Sequence, residues 1–151
     1  MHVLIVCTGN TCRSPLAAAL FERALAARGY TDVTVSSAGT GAWEGAPASE
    51  GAYLVGLENG LDLSSHRARL LTADLVKRAD LILAMSSQHR ARVAALGGAD
   101  RVHTLAAYGG SSGRGGDISD PFGGDIDGYR HTYKELEALV EGAVTRMRAG
   151  R

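Results

Sequence analysis

The hydrophobic positions of the chain fall into short apolar runs separated by longer stretches of helical spacing. Residues 2–6 and 81–85 are apolar apart from His2 and rich in branched side chains, which predicts strands buried on both faces. Residues 33–37 and 102–105 predict two further strands. Strands that alternate with helical stretches predict an α/β fold of three layers, in which helices cover both faces of a four-stranded parallel sheet.

Capping residues divide the stretches between the strands. Ser14 before Pro15 predicts a helix that Ser14 caps and that ends at Gly29. Further helices are predicted over 48–59, over 73–79 after a Thr72 cap, from Ser86 or Ser87 to about residue 96, and over 129–148. Residues 106–126 predict a long loop, whose Gly-rich part at 109–116 we expect to be mobile.

Composition narrows the class of protein. The 151 residues, 45% hydrophobic and 21% charged, are typical of one domain, predicted over 1–151. Basic and acidic residues number 16 each, so no overall field favours nucleic acid or a membrane. Neither a signal peptide nor an apolar stretch of about 18–20 residues is visible, so we expect a cytoplasmic protein. Two cysteines match neither a disulfide framework nor a zinc motif, and we expect no metal and no cofactor.

Residues 7–15, Cys-Thr-Gly-Asn-Thr-Cys-Arg-Ser-Pro, join the first predicted strand to the first predicted helix. The end of a strand, a tight loop and a helix N-terminus form an anion site, where backbone N–H groups can surround phosphate oxygens. Arg13 can add a bidentate clamp. Cys7 would lie under the same anion, where its sulfur is placed to attack phosphorus.

A cysteine nucleophile reacts as the thiolate, so Cys7 needs a depressed pKa. The loop N–H groups, the helix N-terminus and Arg13 each favour the charged form, and Ser14 could donate a hydrogen bond to the sulfur. Asp120, before the rigid Pro121, is the best candidate for the acid that protonates the leaving group and then activates water. Taken singly these residues are ordinary, but their combined spacing predicts a phosphate site.

On these residues the chain resembles the low-molecular-weight protein tyrosine phosphatase family. The resemblance rests on residues 7–15 and 120–122 and on the runs 37–40, 65–69 and 79–85, and it covers essentially the whole chain. It implies a four-stranded parallel sheet, with Cys7 as nucleophile, Arg13 as phosphate binder and Asp120 as acid and then base. The phosphate-binding residues would be Thr8, Gly9, Asn10, Thr11, Cys12, Arg13 and Ser14.

The resemblance also implies supports for the loop. Asn10 would adopt a strained, left-handed conformation, which asparagine tolerates better than most residues. Ser37 and His66 match the residues that hold this asparagine, and Ser14 supports the loop from its end. Cys12 matches a neighbouring cysteine that forms a reversible disulfide with the nucleophile, which would protect a thiolate of low pKa from over-oxidation.

The substrate class depends most on Thr11, because the tyrosine-directed branch of the family usually carries an aliphatic residue there. The bacterial protein-arginine phosphatase branch resembles the chain more closely at that position and at 85–89 and 120–124. A hydroxyl at Thr11 can orient a polar phosphoramidate, and Asp120 could hold a guanidinium. We therefore expect a protein phosphatase that prefers phosphoarginine and acts on phosphoprotein substrates.

Other functions stay open. Trp43 favours phosphotyrosine, since tyrosine-directed members often place an aromatic gate there, while Phe122 could flank a phenol ring or a guanidinium. A thioredoxin-coupled arsenate reductase would need further cysteines beyond Cys12 to relay a disulfide. A phosphate-binding module without catalysis would not need Cys7, Arg13 and Asp120 together. The final helix is amphipathic, and its apolar face can be buried against the rest of the domain alone. We therefore expect a monomer.

Overall fold

The computed structural model describes residues 1–110 and 116–149, within which the chain forms four strands and six helices. The strands are β1 (His2–Cys7), β2 (Thr34–Gly39), β3 (Leu81–Ala84) and β4 (Val102–Thr104). The helices are α1 (Arg13–Ala27), α2 (Glu50–Glu58), α3 (Ala73–Arg78), α4 (Ser87–Val93), α5 (Leu105–Gly109) and α6 (Ile126–Ala149), with a π-helical turn at Ala94–Gly98. Residues 111–115 of the predicted loop lie outside the described residues.

The four strands pair in parallel in the order β2-β1-β3-β4. The chain passes from the central β1 to β2 on one side and later reaches β3 on the other, so the strand order reverses at β1. Ligands of open α/β sheets bind beyond the carboxyl ends of the strands at such a point. Cys7 is the last residue of β1 and pairs with Gly39 at the end of β2, which places it at this edge.

Alternate residues of β1 enter two separate hydrophobic cores. Val3 and Ile5 belong to the larger core, beneath α1, α2, α5 and α6, while Leu4 and Val6 belong to the smaller core, beneath α3 and α4. A strand buried on both faces needs apolar residues at every position, which explains the unbroken apolar run. The predicted α/β fold, with a four-stranded parallel sheet between two layers of helices, is confirmed.

The predicted cap of the first helix is wrong. α1 begins at Arg13 with Cys12 at the N-cap position, and no side chain in the described part of the chain caps it. Ser14 lies in the first turn, fully buried, with its Oγ 2.8 Å from the Cys7 sulfur. Because its hydroxyl faces the sulfur, Ser14 does not cap the N-terminus of α1. The caps at Thr72 and Ser86 are confirmed, since their hydroxyls accept the N–H groups of Leu75 and His89.

The long loop predicted over 106–126 is shorter in the structure because helices occupy both of its ends. Thr104 caps α5 by accepting the N–H of Ala107, and α6 begins at Ile126. A Cβ added at Gly109 would lie 2.0 Å from the carbonyl oxygen of Leu139, so this glycine permits backbone contact between α5 and α6. Within residues 1–110 and 116–149, no helix has the length and apolar character needed to cross a membrane.

Candidate active site

The loop between β1 and α1 forms the floor of a cavity of about 230 Å³. The cavity is lined by Cys7, Thr8, Gly9, Thr11, Cys12, Arg13, Asp120 and Phe122. The N-terminus of α1 meets the loop at Arg13, so the helix dipole and the backbone N–H groups favour an anion here. The structure thus brings residues from both ends of the chain to one opening that suits a phosphoryl group.

The Cys7 sulfur lies at the bottom of the cavity, and the residue is 2% exposed. Its Sγ is 2.8 Å from Ser14 Oγ and accepts the backbone N–H of Asn10 at 3.3 Å. Burial raises the pKa of the Cys7 thiol, against the lowering effects of Ser14, the Arg13 charge and the Asn10 N–H. The expected net depression of this pKa is wrong, because desolvation of the thiolate outweighs these contacts.

Asn10 holds the loop through both its side chain and its backbone. Its φ is +57°, in the left-handed region that only glycine adopts freely. Its Nδ2 donates to Ser14 Oγ at 2.8 Å and to Ser37 Oγ at 2.9 Å, and its Oδ1 accepts the backbone N–H of Arg69 at 2.9 Å. His66 Nε2 lies 2.6 Å from the Asn10 carbonyl oxygen, to which it donates.

This arrangement orients the Ser14 hydroxyl. Because Asn10 Oδ1 accepts a backbone N–H, its Nδ2 must be the group that faces Ser14 and Ser37. Ser14 Oγ therefore accepts from Asn10, and its own hydrogen is free to point at the Cys7 sulfur. The asparagine thus connects the loop conformation to a hydrogen bond that stabilises a thiolate.

Arg13 and Asp120 meet at the side of the cavity. Arg13 is 5% exposed, its Nη1 donates to the carbonyl oxygen of Ile118 at 2.9 Å, and its Nη2 lies 3.5 Å from Asp120 Oδ2. The Asp120 side chain is 48% exposed, and its Oδ1 accepts the N–H of Phe122 at 3.1 Å. A buried guanidinium next to a half-exposed carboxylate can bind phosphoryl oxygens on one side and exchange a proton on the other.

The segment that carries Asp120 is attached to the end of β3 and the start of α4. The Ile118 N–H donates to the Met85 carbonyl oxygen at 2.9 Å, and Asp117 Oδ1 accepts the Ser87 N–H at 2.9 Å. These contacts join residues about 30 positions apart in sequence. They position the carboxylate over a loop that was formed by the N-terminus of the chain.

His89 is a site residue that the sequence analysis missed. It is 5% exposed, and its Nδ1 and Nε2 lie 2.8 Å from Ser86 Oγ and 2.7 Å from Thr8 Oγ1. Burial, with the Arg13 charge, lowers the pKa of His89 to about 4, against the opposing charges of Asp117 and Asp120. The sequence signal that could have found it is a histidine in the first turn of the helix after β3. This position matters because β3 pairs with β1, the strand that ends at Cys7.

Cys12 also lines the cavity. Its Sγ is 3.1 Å from Ser49 Oγ and 3.7 Å from Tyr129 Oη, and the Ser49 N–H donates to the Thr11 carbonyl oxygen at 2.9 Å. Both cysteines of the chain are free thiols. Among residues 1–110 and 116–149, no group of three or more His, Cys, Asp or Glu is arranged to hold a metal ion.

The three predicted specificity residues occupy different places. Thr11 and Phe122 line the cavity, and Phe122 is 69% exposed at its mouth. Trp43 is not among the described residues that line it, and 84% of Trp43 is exposed in the loop after β2. Only a part of the substrate outside the cavity could contact this tryptophan, so its role as a gate stays a prediction.

Comparisons with known proteins find similar sequences over nearly the whole chain. Residues 2–150 match the family described as low molecular weight phosphotyrosine protein phosphatase. The protein-arginine-phosphatase of Bacillus subtilis is 44% identical over 142 residues, which cover 93% of this chain and 92% of that protein. A probable low molecular weight protein-tyrosine-phosphatase, EpsP of Ralstonia nicotianae, is 36% identical over 152 residues, 97% and 96% of the two chains.

A solved structure is similar over the whole chain. It is a cysteine-to-serine mutant of the YwlE arginine phosphatase with a phosphorylated active-site serine, and it superposes with a TM-score of 0.93 at 40% identity. The similarity covers 100% of this chain and 98% of that one. The chain belongs to the low molecular weight phosphotyrosine protein phosphatase family.

Proposed function

We propose that this phosphatase removes phosphoryl groups from arginine side chains of proteins through a cysteinyl-phosphate intermediate. The observation that carries the proposal is the position of the Cys7 sulfur, at the floor of an anion-binding loop. Arg13 lies at one side of this floor and the Asp120 carboxylate faces the opening. The named arginine phosphatases of Bacillus subtilis and Geobacillus stearothermophilus, at 44% and 42% identity, support the substrate class.

In the first step, the Cys7 thiolate attacks the phosphorus atom of the phosphoarginine. A sulfur–phosphorus bond forms as the nitrogen–phosphorus bond breaks, and the leaving nitrogen takes a proton from the Asp120 carboxyl group. The loop N–H groups and Arg13 stabilise the charge on the equatorial phosphoryl oxygens. The Ser14 hydroxyl, 2.8 Å from the sulfur, stabilises the thiolate before attack and as it leaves in the second step.

In the second step, Asp120 takes a proton from water, whose oxygen attacks the phosphorus. The sulfur–phosphorus bond breaks, so the products are inorganic phosphate and the restored Cys7 thiolate. The same carboxylate therefore gives one proton and takes one in each cycle. Its 48% exposed side chain at the mouth of the cavity suits both exchanges, because water and the leaving group arrive from that side.

Three features of the cavity favour an arginine substrate. Thr11 presents a hydroxyl within the lining, where it can orient a polar phosphoramidate. Asp120 is exposed next to the cavity and, once its proton is on the leaving nitrogen, can form an ion pair with the guanidinium of the released arginine. Gly123 follows Phe122 along the chain and has no side chain, so this position does not supply a second aromatic wall.

Phosphotyrosine is the second candidate substrate. Phe122 lines the cavity and is well exposed, so its ring is available to stack on a phenol. The 36% identical EpsP protein is named as a probable tyrosine phosphatase, which keeps this candidate open. The two substrates differ in the polarity of the group next to phosphorus, and Thr11 is the lining residue most sensitive to that difference.

The experiment that tests the proposal compares kcat/KM for phosphoarginine and phosphotyrosine peptides of the same sequence. We expect the wild-type protein to prefer phosphoarginine, and Thr11→Ile to shift the ratio toward phosphotyrosine by about tenfold, since it removes a polar contact. Turnover of para-nitrophenyl phosphate under reducing conditions serves as the reference. A higher kcat/KM for phosphotyrosine in the wild type would overturn the arginine preference.

The proposal also covers the domain organisation, the oligomeric state and the compartment of the enzyme. Residues 1–151 act as one phosphatase domain and as a monomer, in the reducing conditions of the cytoplasm. The family match over residues 2–150 supports the single domain, and a nucleophile that must stay a thiol supports the reducing compartment. Sedimentation equilibrium at micromolar concentration tests the monomer, and a dimer mass under assay conditions would contradict it.

A further inference from the structure

A groove adjoins the catalytic cavity on the far side of Phe122. It has a volume of about 390 Å³ and lies between the first turns of α2 and the residues that lead into α6. Phe122 lines both the groove and the catalytic cavity, so the two adjoin at this residue. A ligand that fills the cavity and extends past Phe122 therefore enters the groove.

The walls of the groove combine apolar surface with one negative charge. The apolar surface comes from Leu54, which is 42% exposed on α2, and from Phe122 and Ile126. Glu50 presents an exposed carboxylate that has no hydrogen-bond or ion-pair partner among residues 1–110 and 116–149. None of the described residues that line the groove carries a positive charge. The groove thus suits an apolar or basic side chain and disfavours an acidic one.

Close packing keeps the groove in place. A Cβ added at Gly51 would lie 2.4 Å from the Tyr129 ring, so α2 can lie directly on this tyrosine only because residue 51 has no side chain. On the opposite side, the left-handed Gly123 has no neighbouring atoms within 4 Å of an added Cβ. The loop after Phe122 therefore leaves the groove open to solvent while α2 and α6 form a fixed base.

We propose that this groove is a second subsite, which binds a side chain of the substrate polypeptide one or two residues from the phosphorylated residue. The proposal rests on the proposed function, because the occupant must be the chain whose phosphorylated side chain fills the cavity. An extended polypeptide advances about 3.3 Å per residue, so a near neighbour of the phosphorylated residue reaches the far side of Phe122. Leu54 and Glu50 are then specificity residues that favour apolar or basic neighbours.

The test uses phosphopeptides that contain phosphoarginine or phosphotyrosine, whichever the enzyme hydrolyses faster. The peptides differ only at the two positions that flank this residue. Leu, Arg or Glu occupies these positions, and kcat/KM is compared with that for para-nitrophenyl phosphate. We expect the wild type to prefer Arg-flanked over Glu-flanked peptide by about fivefold, and Glu50→Gln to reduce this ratio below twofold. We expect Leu54→Ser to lower kcat/KM for the Leu-flanked peptide by about fivefold.

Two matched variants control for indirect effects. Leu57→Ser changes another leucine of α2, 47% exposed, which is not among the described residues that line the groove. Glu135→Gln removes an exposed carboxylate of α6 outside that lining. Neither control should alter the peptide ratios, and all four variants should retain wild-type turnover of para-nitrophenyl phosphate. Equal effects of Leu54→Ser and Leu57→Ser would overturn the subsite.

The outcomes separate this inference from the proposed function. If the wild type hydrolyses para-nitrophenyl phosphate but treats Arg-flanked and Glu-flanked peptides alike, the subsite is wrong and the phosphatase assignment stands. If the wild type hydrolyses neither the small ester nor any phosphopeptide, the proposed function itself is wrong. A charge preference that survives Glu50→Gln would also reject the groove, because another group would then carry it.

Discussion

Two histidines contact the loop between β1 and α1 at different residues, and they do so in different ways. His66 donates to the backbone carbonyl of Asn10 at 2.6 Å, whereas His89 contacts the side-chain hydroxyl of Thr8 at 2.7 Å. Burial lowers the pKa of both rings, and that of His89 falls to about 4. The Asn10 side constrains the backbone of the loop, while the Thr8 side orients one exposed hydroxyl.

The difference indicates which residue of the loop is held most strongly in its conformation. Asn10 is strained and makes five hydrogen bonds, to Cys7, Ser14, Ser37, Arg69 and His66. Thr8 is an exposed residue with two hydrogen bonds, one between its hydroxyl and His89 and one from the Gly41 N–H to its carbonyl oxygen. Removal of groups on the Asn10 side should therefore affect the geometry around the Cys7 sulfur, and removal on the Thr8 side should mainly affect local stability.

The largest effect is expected from Asn10→Ala. This change removes three side-chain hydrogen bonds and leaves a β-carbon in the left-handed region, so we expect kcat/KM to fall about 1,000-fold. Asn10→Gly keeps the backbone conformation accessible and should recover about tenfold of that loss. Steady-state kinetics with para-nitrophenyl phosphate measure both variants. Equal activity of the two would show that backbone strain is unimportant at this position.

The pH dependence of the unfolding free energy should reveal the contribution of His89, the residue that contacts Thr8. His89 binds protons less readily in the folded protein than in the unfolded chain, because burial lowers its pKa to about 4. The stability that depends on neutral His89 is therefore complete above about pH 6.5 and is lost as the pH falls toward 4, by on the order of 3 kcal/mol.

Urea unfolding at several pH values compares the wild type with His89→Gln. The glutamine variant should show a shallower loss of unfolding free energy between pH 6.5 and 4, since the titrating ring is gone. Its stability at neutral pH should be lower, because the contacts to Ser86 and Thr8 are weakened. Parallel curves for the two proteins would mean that His89 titrates normally in the folded state.

The link from Asn10 to the nucleophile is tested by Ser14→Ala. Ser14 lowers the pKa of a thiol that burial raises, so its removal should raise that pKa further and leave less thiolate at any given pH. We expect kcat/KM to fall about thirtyfold at neutral pH, with partial recovery as the pH rises. Ser49→Ala, which removes a hydroxyl next to Cys12, should leave the pH profile unchanged.

The smallest effects compare the two histidines in catalysis. His66→Gln should lower kcat/KM by about tenfold, and His89→Gln by about threefold, because the first fixes loop backbone and the second fixes a hydroxyl. Thr8→Val should resemble His89→Gln, and the double variant should be no worse than either alone. Additive losses in the double variant would show that the two residues act independently.

Several parts of this fold and site were predictable from local patterns. The apolar run of β1 followed by Cys7, and the arginine at the start of α1, define an anion loop by spacing alone. The caps at Thr72 and Ser86 follow from the side-chain chemistry of those residues. Such features depend on neighbours within a few positions, so they can be predicted from the sequence.

Other parts depend on contacts between distant segments. The Ser14 hydroxyl could cap a helix or face a sulfur, and only the position of Asn10 decides for the sulfur. Glycine at 109 is typical of loops, yet it lies in α5 because α6 packs against its backbone. Trp43 suits a gate by its place in the chain, but the course of the loop after β2 leaves it exposed.

The sequence by itself determined the alternation of strands and helices, the loop from Cys7 to Arg13 and the membership of one phosphatase family, because these depend on local pattern and motif spacing. Only the tertiary structure decided which contacts bring distant groups to that loop. The pairing of β3 next to β1 brings His89 to Thr8, and the attachment of Ile118 to Met85 brings Asp120 to Arg13. Parallel strands bring their carboxyl ends to one edge, so residues far apart in the chain meet there.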